Sequence, residues 1–186
     1  ESFKRLTASL PEDGCLVARW DHDSVIDCCH DCPCEIRRYG KGQEWDGRID
    51  SMDTASGQMT FTVLRNGAPY GTFSSPMVGE HNLYNQVAIV AALDFNGFKA
   101  DELSEGFPTF KGIRRRQEIV GTVSEITVID DFAHHPTAID VTLSALKLRF
   151  GGRRMWAIFE PRSATSRRNT FQHEFAQSFS AADIVV

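Results

Sequence analysis

The chain alternates between two hydrophobic periods, and each period marks one kind of element. Runs of β-branched or alternating apolar residues predict strands at residues 16–20, 34–39, 45–52, 59–65, 69–74, 118–123, 126–129, 155–159 and 184–186. Apolar residues at helical spacing predict helices at 25–31, 83–96, 101–105, 136–150 and 170–180. The helix at 83–96 is apolar over most of its circumference (Val87, Ala88, Ile89, Val90, Ala91, Ala92, Leu93), which predicts deep burial. In the helix at 136–150 the apolar row is Ile139, Leu143, Leu146 and Phe150. In the last helix it is Phe171, Phe175 and Phe179, spaced as a core face.

Turn residues punctuate the pattern. Asn66-Gly67 between two strand runs is a strong hairpin signal, so residues 45–74 are expected to form an antiparallel appendage to an α/β core. Gly97 suits a helix C-cap, and Pro136 suits a first helical position because its missing N–H would be unpaired there anyway. Residues 106–112, with Gly106, Pro108 and Gly112, read as a hinge. Beyond it, alternating strands and helices predict a parallel, doubly wound sheet. The expected domains are therefore residues 1–111 and 112–186. The polar opening Glu1-Ser2-Phe3-Lys4-Arg5 lacks both methionine and a signal pattern, and the chain stops inside a strand run. Both ends are expected to be cuts in a longer enzyme.

Composition narrows the function classes. With 41% hydrophobic and 24% charged residues the 186-residue chain is an ordinary globular one. A net charge of −5 gives no support for nucleic-acid or anionic-membrane binding, and no apolar run approaches the roughly 20 residues of a membrane span. Four of five cysteines fall in Cys28-Cys29-His30-Asp31-Cys32-Pro33-Cys34. Structural zinc usually needs two ligand pairs separated by a loop, and no second cluster follows. Reduced, small buried thiols in a cytoplasmic protein are the expectation, with a non-catalytic zinc-binding module as the alternative.

Four stretches carry chemistry. Asp130-Asp131-Phe132-Ala133-His134-His135-Pro136-Thr137 sets carboxylates and imidazoles between a strand and a helix N-terminus, where free N–H groups attract anions. In Gly79-Glu80-His81-Asn82-Leu83-Tyr84-Asn85 the two asparagines share one side of a helical turn. A carboxamide can pair with the N6 and N7 edge of adenine, or can simply cap the helix. Arg114-Arg115-Arg116 is a solvated basic edge or, in an acidic protein, a fork for polyphosphate oxygens. Phe159-Glu160-Pro161-Arg162-Ser163 follows a strand, at the end where doubly wound sheets bind ligands.

Taken together these motifs resemble the ATP-dependent Mur ligases. Residues 79–85 are similar to the family pattern G-x-H-N-x-x-N, and residues 110–118 to F-x-G-x-x-R-R followed by an acid. The resemblance implies the C-terminal part of a central ATPase domain followed by the first part of a Rossmann-like C-terminal domain. It places Asn82 and Asn85 at the adenine, with His81 in the same nucleotide site, Arg116 at the phosphates with Arg115 beside it, and Asp131 at the ribose hydroxyls. It gives His134 and His135 a part in positioning substrate near the phosphates, against a plain helix-entry role. Arg162 and Ser163 would bind the acceptor's carboxylates, and the F-E-P-R-S form resembles the branch that adds a murein tripeptide, L-Ala-γ-D-Glu-meso-diaminopimelate. The branch that adds L-alanine is the alternative. The implied reaction uses ATP and Mg²⁺: UDP-N-acetylmuramate becomes an acyl phosphate, which the acceptor amine then attacks. The C-terminal domain would close on a hinge near Gly112. No G-x-x-x-x-G-K-[ST] phosphate loop lies in these residues.

Overall fold

A computed structural model describes residues 1–161 and 171–186. The chain divides into two compact units. The first comprises Glu1–Ser51, Met59–Ser75 and His81–Phe110, and the second Met52–Gln58, Pro76–Glu80 and Lys111–Val186.

The first unit is built on a five-stranded sheet in the order β1-β2-β3-β4-β5. These strands are β1 (Cys15–Arg19), β2 (Glu35–Tyr39), β3 (Trp45–Asp53), β4 (Gln58–Arg65) and β5 (Ala68–Ser75). β1 pairs parallel with β2, and β2 with β3, while β4 and β5 form an antiparallel hairpin. Asn66 and Gly67 turn that hairpin at φ 51° and 77°, the left-handed pair that a two-residue turn requires. The hairpin is therefore as expected, but the appendage is not: β3, β4 and β5 continue the sheet of β1 and β2. Period-2 alternation reports a strand and its faces, not which sheet it joins.

Helix α1 (Ser2–Ala8) and helix α2 (Asp23–Cys28) precede the sheet's second strand, and α3 (Glu80–Phe95) and α4 (Ala100–Gly106) follow its last. α3 buries the apolar Leu83, Val87, Val90 and Ala91 and leaves Ile89 half exposed. Asn82, Tyr84 and Gln86 are buried beside them, so the helix is deeply packed over a wide arc and open only on the side of Asn85 and Ile89. Gly47 of β3 explains how closely the helix approaches. A Cβ there would lie 2.7 Å from Val87 and 2.9 Å from Leu83. Gly47→Ala is expected to lower stability by about 1–3 kcal/mol through overpacking; an unchanged denaturation midpoint would show that the helix moves away freely. α3 ends in a Schellman motif. Gly97 at φ 89° donates to the Asp94 carbonyl, and Phe98 N donates to the Leu93 carbonyl.

The second unit holds β6 (Glu118–Val123), β7 (Ile126–Asp130), α5 (Pro136–Arg149), β8 (Trp156–Ala157), α6 (Gln172–Ser178) and β9 (Ile184–Val185). β6 and β7 form an antiparallel hairpin ahead of the alternating helices and strands. Only the two residues Ser124 and Glu125 join them, at φ 48° and 67°, and so short a link cannot return a strand in the same direction. β8 and β9, separated by α6, do pair in parallel. Ile139, Leu143 and Ala157 form this unit's core, with Phe159 packed between Phe175 and Phe179 at ring distances of 5.7 and 5.4 Å. Phe171 differs from its expected core partners: its ring meets His135 at 5.2 Å. Among the described residues no helix is long and apolar enough to cross a membrane.

Candidate functional site

The first unit carries His81, Asn82 and Asn85 on the opening turns of α3. Asn82 is buried, 6% exposed, while Asn85 is exposed. The Asn85 amide donates to Asn82 Oδ1 at 3.4 Å, so the spacing of three brings the two carboxamides together as expected. Around them the Gln86 amide donates to the Asn82 carbonyl at 3.0 Å. The Tyr84 hydroxyl donates to Asp46 at 3.3 Å, and Arg19 lies over the Tyr84 ring at 4.9 Å. These neighbours fix the helix end that presents Asn85 to solvent.

The second unit gathers Arg115, Arg116, Asp131 and His134. The guanidinium groups of Arg115 and Arg116 lie 4.8 and 5.8 Å from the centre of the Phe132 ring, and His134 meets the same ring edge-on at 5.1 Å. Phe132 is therefore an organising residue that carried no role in the sequence, although it sits inside the DDFAHHP run. Arg115 Nε also approaches Asp130 at 3.4 Å. Both arginines are exposed, so their forks remain accessible to a phosphate.

Backbone strain marks the same loop. Arg115 and Gln117 hold φ values of 59° and 50°, a region that costs a non-glycine residue energy and needs support. Support comes from two carboxylates. The Arg115 N–H donates to Glu118 Oε2 at 2.7 Å and the Gln117 N–H to Asp131 Oδ2 at 2.8 Å. Asp131 Oδ1 accepts from the Ala133 N–H at 2.8 Å, and the Thr142 hydroxyl lies 3.5 Å away. Asp131 is thus the clamp between the arginine loop and the turn after β7. Each carboxylate oxygen can accept more than one hydrogen bond, so a ribose contact stays compatible with this role.

The two histidines are separated by their partners. His134 Nδ1 lies 3.0 Å from the Phe132 carbonyl, whereas His135 is the N-cap of α5, its Nδ1 accepting from the Thr137 N–H at 3.4 Å. That geometry favours helix entry for His135, with Pro136 in the expected first position. Arg162 and Ser163 lie outside the described residues. Each unit by itself offers polar donors: hydrogen-bonded carboxamides on α3 in the first, and two guanidinium groups over one ring in the second. A metal seat is another matter, since among the described residues no group of three or more His, Cys, Asp or Glu side chains converges.

Comparison with known proteins supplies the rest. Residues 115–186 match the family described as Mur ligase, glutamate ligase domain. The whole chain is 36% identical to a UDP-N-acetylmuramate--L-alanine ligase of Lachnospira eligens and 34% identical to one of Alkaliphilus metalliredigens, covering 40% of each. The chain thus spans about two fifths of the length of these relatives. Among solved structures it is 33% identical to a murein peptide ligase of Psychrobacter arcticus, with a TM-score of 0.62 over 98% of this chain and 38% of that one. It is 28% identical to a UDP-N-acetylmuramate-alanine ligase of Thermotoga maritima, with a TM-score of 0.68 over 80% and 33%.

Proposed function

Because residues 115–186 carry a Mur ligase domain, we propose that the chain is part of an ATP-dependent ligase that forms an amide bond on UDP-N-acetylmuramate. The acceptor is L-alanine. The observation that supports it is identity of 34–36% along the entire chain with relatives named for L-alanine addition. This reverses the weight given to the tripeptide by the sequence at residues 159–163. The tripeptide stays as the second reading, supported by the 33% identity with a murein peptide ligase. Its expected acceptor residues, Arg162 and Ser163, lie outside the described part and add no geometry.

The division of labour is the one that the family resemblance implies. Asn82 and Asn85, with His81 on the same turn, hold the adenine edge. Arg116 and Arg115 meet the phosphate oxygens, where fixed cationic donors offset charge as the γ-phosphoryl group moves. Asp131 accepts from the ribose while clamping the loop that carries both arginines. His134, against the Phe132 ring, lines the phosphate side, and His135 starts α5. ATP supplies the phosphoryl group that activates the muramoyl carboxylate. Mg²⁺ has no converged seat among the described residues, so no step is assigned to it. Five free cysteines suit a cytoplasmic location.

The test is a phosphate-release assay on the full enzyme with UDP-N-acetylmuramate, ATP and either acceptor. Turnover with L-alanine and little with L-Ala-γ-D-Glu-meso-diaminopimelate is expected; the opposite ranking would install the second reading. The 186-residue chain alone is expected to form no amide with either, since it lacks a phosphate loop of its own. Amide product from the chain alone would overturn that assignment.

A further inference from the structure

The turn between α2 and β2 concentrates thiols with no part in the proposed chemistry. Cys28 and Cys29 end α2, Cys32 and Cys34 follow, and Cys15 faces Glu35 across the β1–β2 pair. All five are free. Within this group one pair stands out: Cys32 Sγ and Cys34 Sγ are 3.4 Å apart, in direct contact. The turn that brings them together is fixed at its start by a hydrogen bond from the Cys32 N–H to the Cys29 carbonyl at 3.1 Å, and at its end by the parallel pairing of β2 with β1. Cys32 is partly exposed, whereas Cys34 is 8% exposed. Among the described residues no further Cys, His, Asp or Glu completes a metal-holding group with them. Two sulfurs in contact, one reachable and one buried, suit a two-electron oxidation better than a tetrahedral ion.

We propose that Cys32 and Cys34 form a vicinal dithiol that is oxidised by low-molecular-weight disulfides to an intrachain disulfide. The reaction balances as two exchanges. The Cys32 thiolate attacks one sulfur of the small disulfide, forms a mixed disulfide and releases one small thiolate. The Cys34 thiolate then attacks the Cys32 sulfur, forming the Cys32–Cys34 bond and releasing the second small thiolate; the two protons lost by the cysteines end on the released thiols. The small disulfide is reduced and the protein oxidised by two electrons. Burial, followed by the contact with Cys32, raises the Cys34 thiol above its usual range, which suits the buried member to the second, intramolecular step. A ring closed by so few residues adds little chain-entropy stabilisation, so the bond would be reversible rather than structural.

The experiment equilibrates the purified, reduced chain with oxidised glutathione, then alkylates the remaining thiols and measures intact mass and peptide linkage. Expected is a loss of two alkylatable thiols and of about 2 Da, two hydrogen atoms, with the bridge mapped to Cys32–Cys34 and restored by dithiothreitol. C34S should instead trap a stable glutathione adduct on Cys32, and C32S should take up neither bridge nor adduct at this turn. A bridge to Cys28 or Cys29, a lasting adduct on Cys32 of the unaltered chain, a disulfide between chains, or five thiols still alkylated would each overturn the proposal. Far-UV circular dichroism of each variant separates these outcomes from misfolding.

Discussion

Arg37→Ala is expected to destabilise the first unit by about 3–5 kcal/mol, the range for removing one partner of a buried ion pair. Arg37 lies on β2 with its side chain 8% exposed, and it serves three partners. Its Nη1 donates to Asp94 at 2.6 Å and to the Ala91 carbonyl at 2.7 Å, and its Nε donates to Glu35 at 2.7 Å. The Trp45 ring, wholly buried, lies 5.6 Å from the guanidinium carbon. Removal would leave Asp94, itself 12% exposed, with Tyr70 and Arg65 alone. Urea unfolding followed by tryptophan fluorescence checks this. A loss no larger than that from removing the exposed Lys4–Asp27 pair would sink it.

The same network predicts a pH dependence with a definite sign. Burial pushes the Asp94 carboxyl up, but Arg37, Tyr70 and Arg65 together hold it below the ordinary carboxylate range. Its contribution is therefore complete above a pH of about 4, the unfolded value, and disappears as pH falls through the lower folded value. Asp94→Asn should flatten that acid limb. The Tyr70 hydroxyl, raised to about 12 by burial and by Asp94, stays a donor throughout this range.

The largest effect on activity is expected at Arg116. Arg116→Ala in the full enzyme should lower kcat by about 10²–10³-fold, the loss typical of one preorganised donor to developing charge. Arg115 is partly committed to Asp130, which leaves Arg116 as the fork better able to turn toward phosphate. Arg114, outside the family pattern, is the control and should change kcat little. If Arg114→Ala and Arg116→Ala lose activity equally, the triplet acts as a general basic edge and the assignment fails. A parallel rise in the KM for ATP would separate phosphate binding from transition-state stabilisation.

Local signals in the sequence told most about local structure. Asn66-Gly67, Gly97 and Pro136 each adopt the turn, cap or helix start that their chemistry dictates. Helix α1 went unforeseen because it has no apolar stripe: Phe3 and Leu6 are exposed, and Thr7 is its one buried residue. Arg37 gave no warning of its burial, since its main partner Asp94 lies 57 residues away on α3 and only the packing of that helix on β2 joins them. Sheet membership failed for the same reason, because hydrophobic period does not encode strand neighbours. At the candidate site, residue types singled out the loop at 114–118 and the run at 130–137, but the approach of both arginines to Phe132 and the two backbone N–H groups held by Asp131 depend on the fold.

The two-residue connection between β6 and β7 also bears on the order in which the second unit folds. A hairpin closed by Ser124 and Glu125 can form in about 1–10 μs, and its last pair, Glu118 opposite Asp130, sets the Gln117–Asp131 clamp in place. The β8–β9 pair joins Ala157 to Val185 and must wait for a far longer loop to close. Substitutions at Val123 and Ile126 should therefore slow refolding, whereas substitutions at Ala157 and Val185 should mainly hasten unfolding. The strained arginine loop would then be assembled at the start of the folding reaction, before the parallel sheet beside it exists.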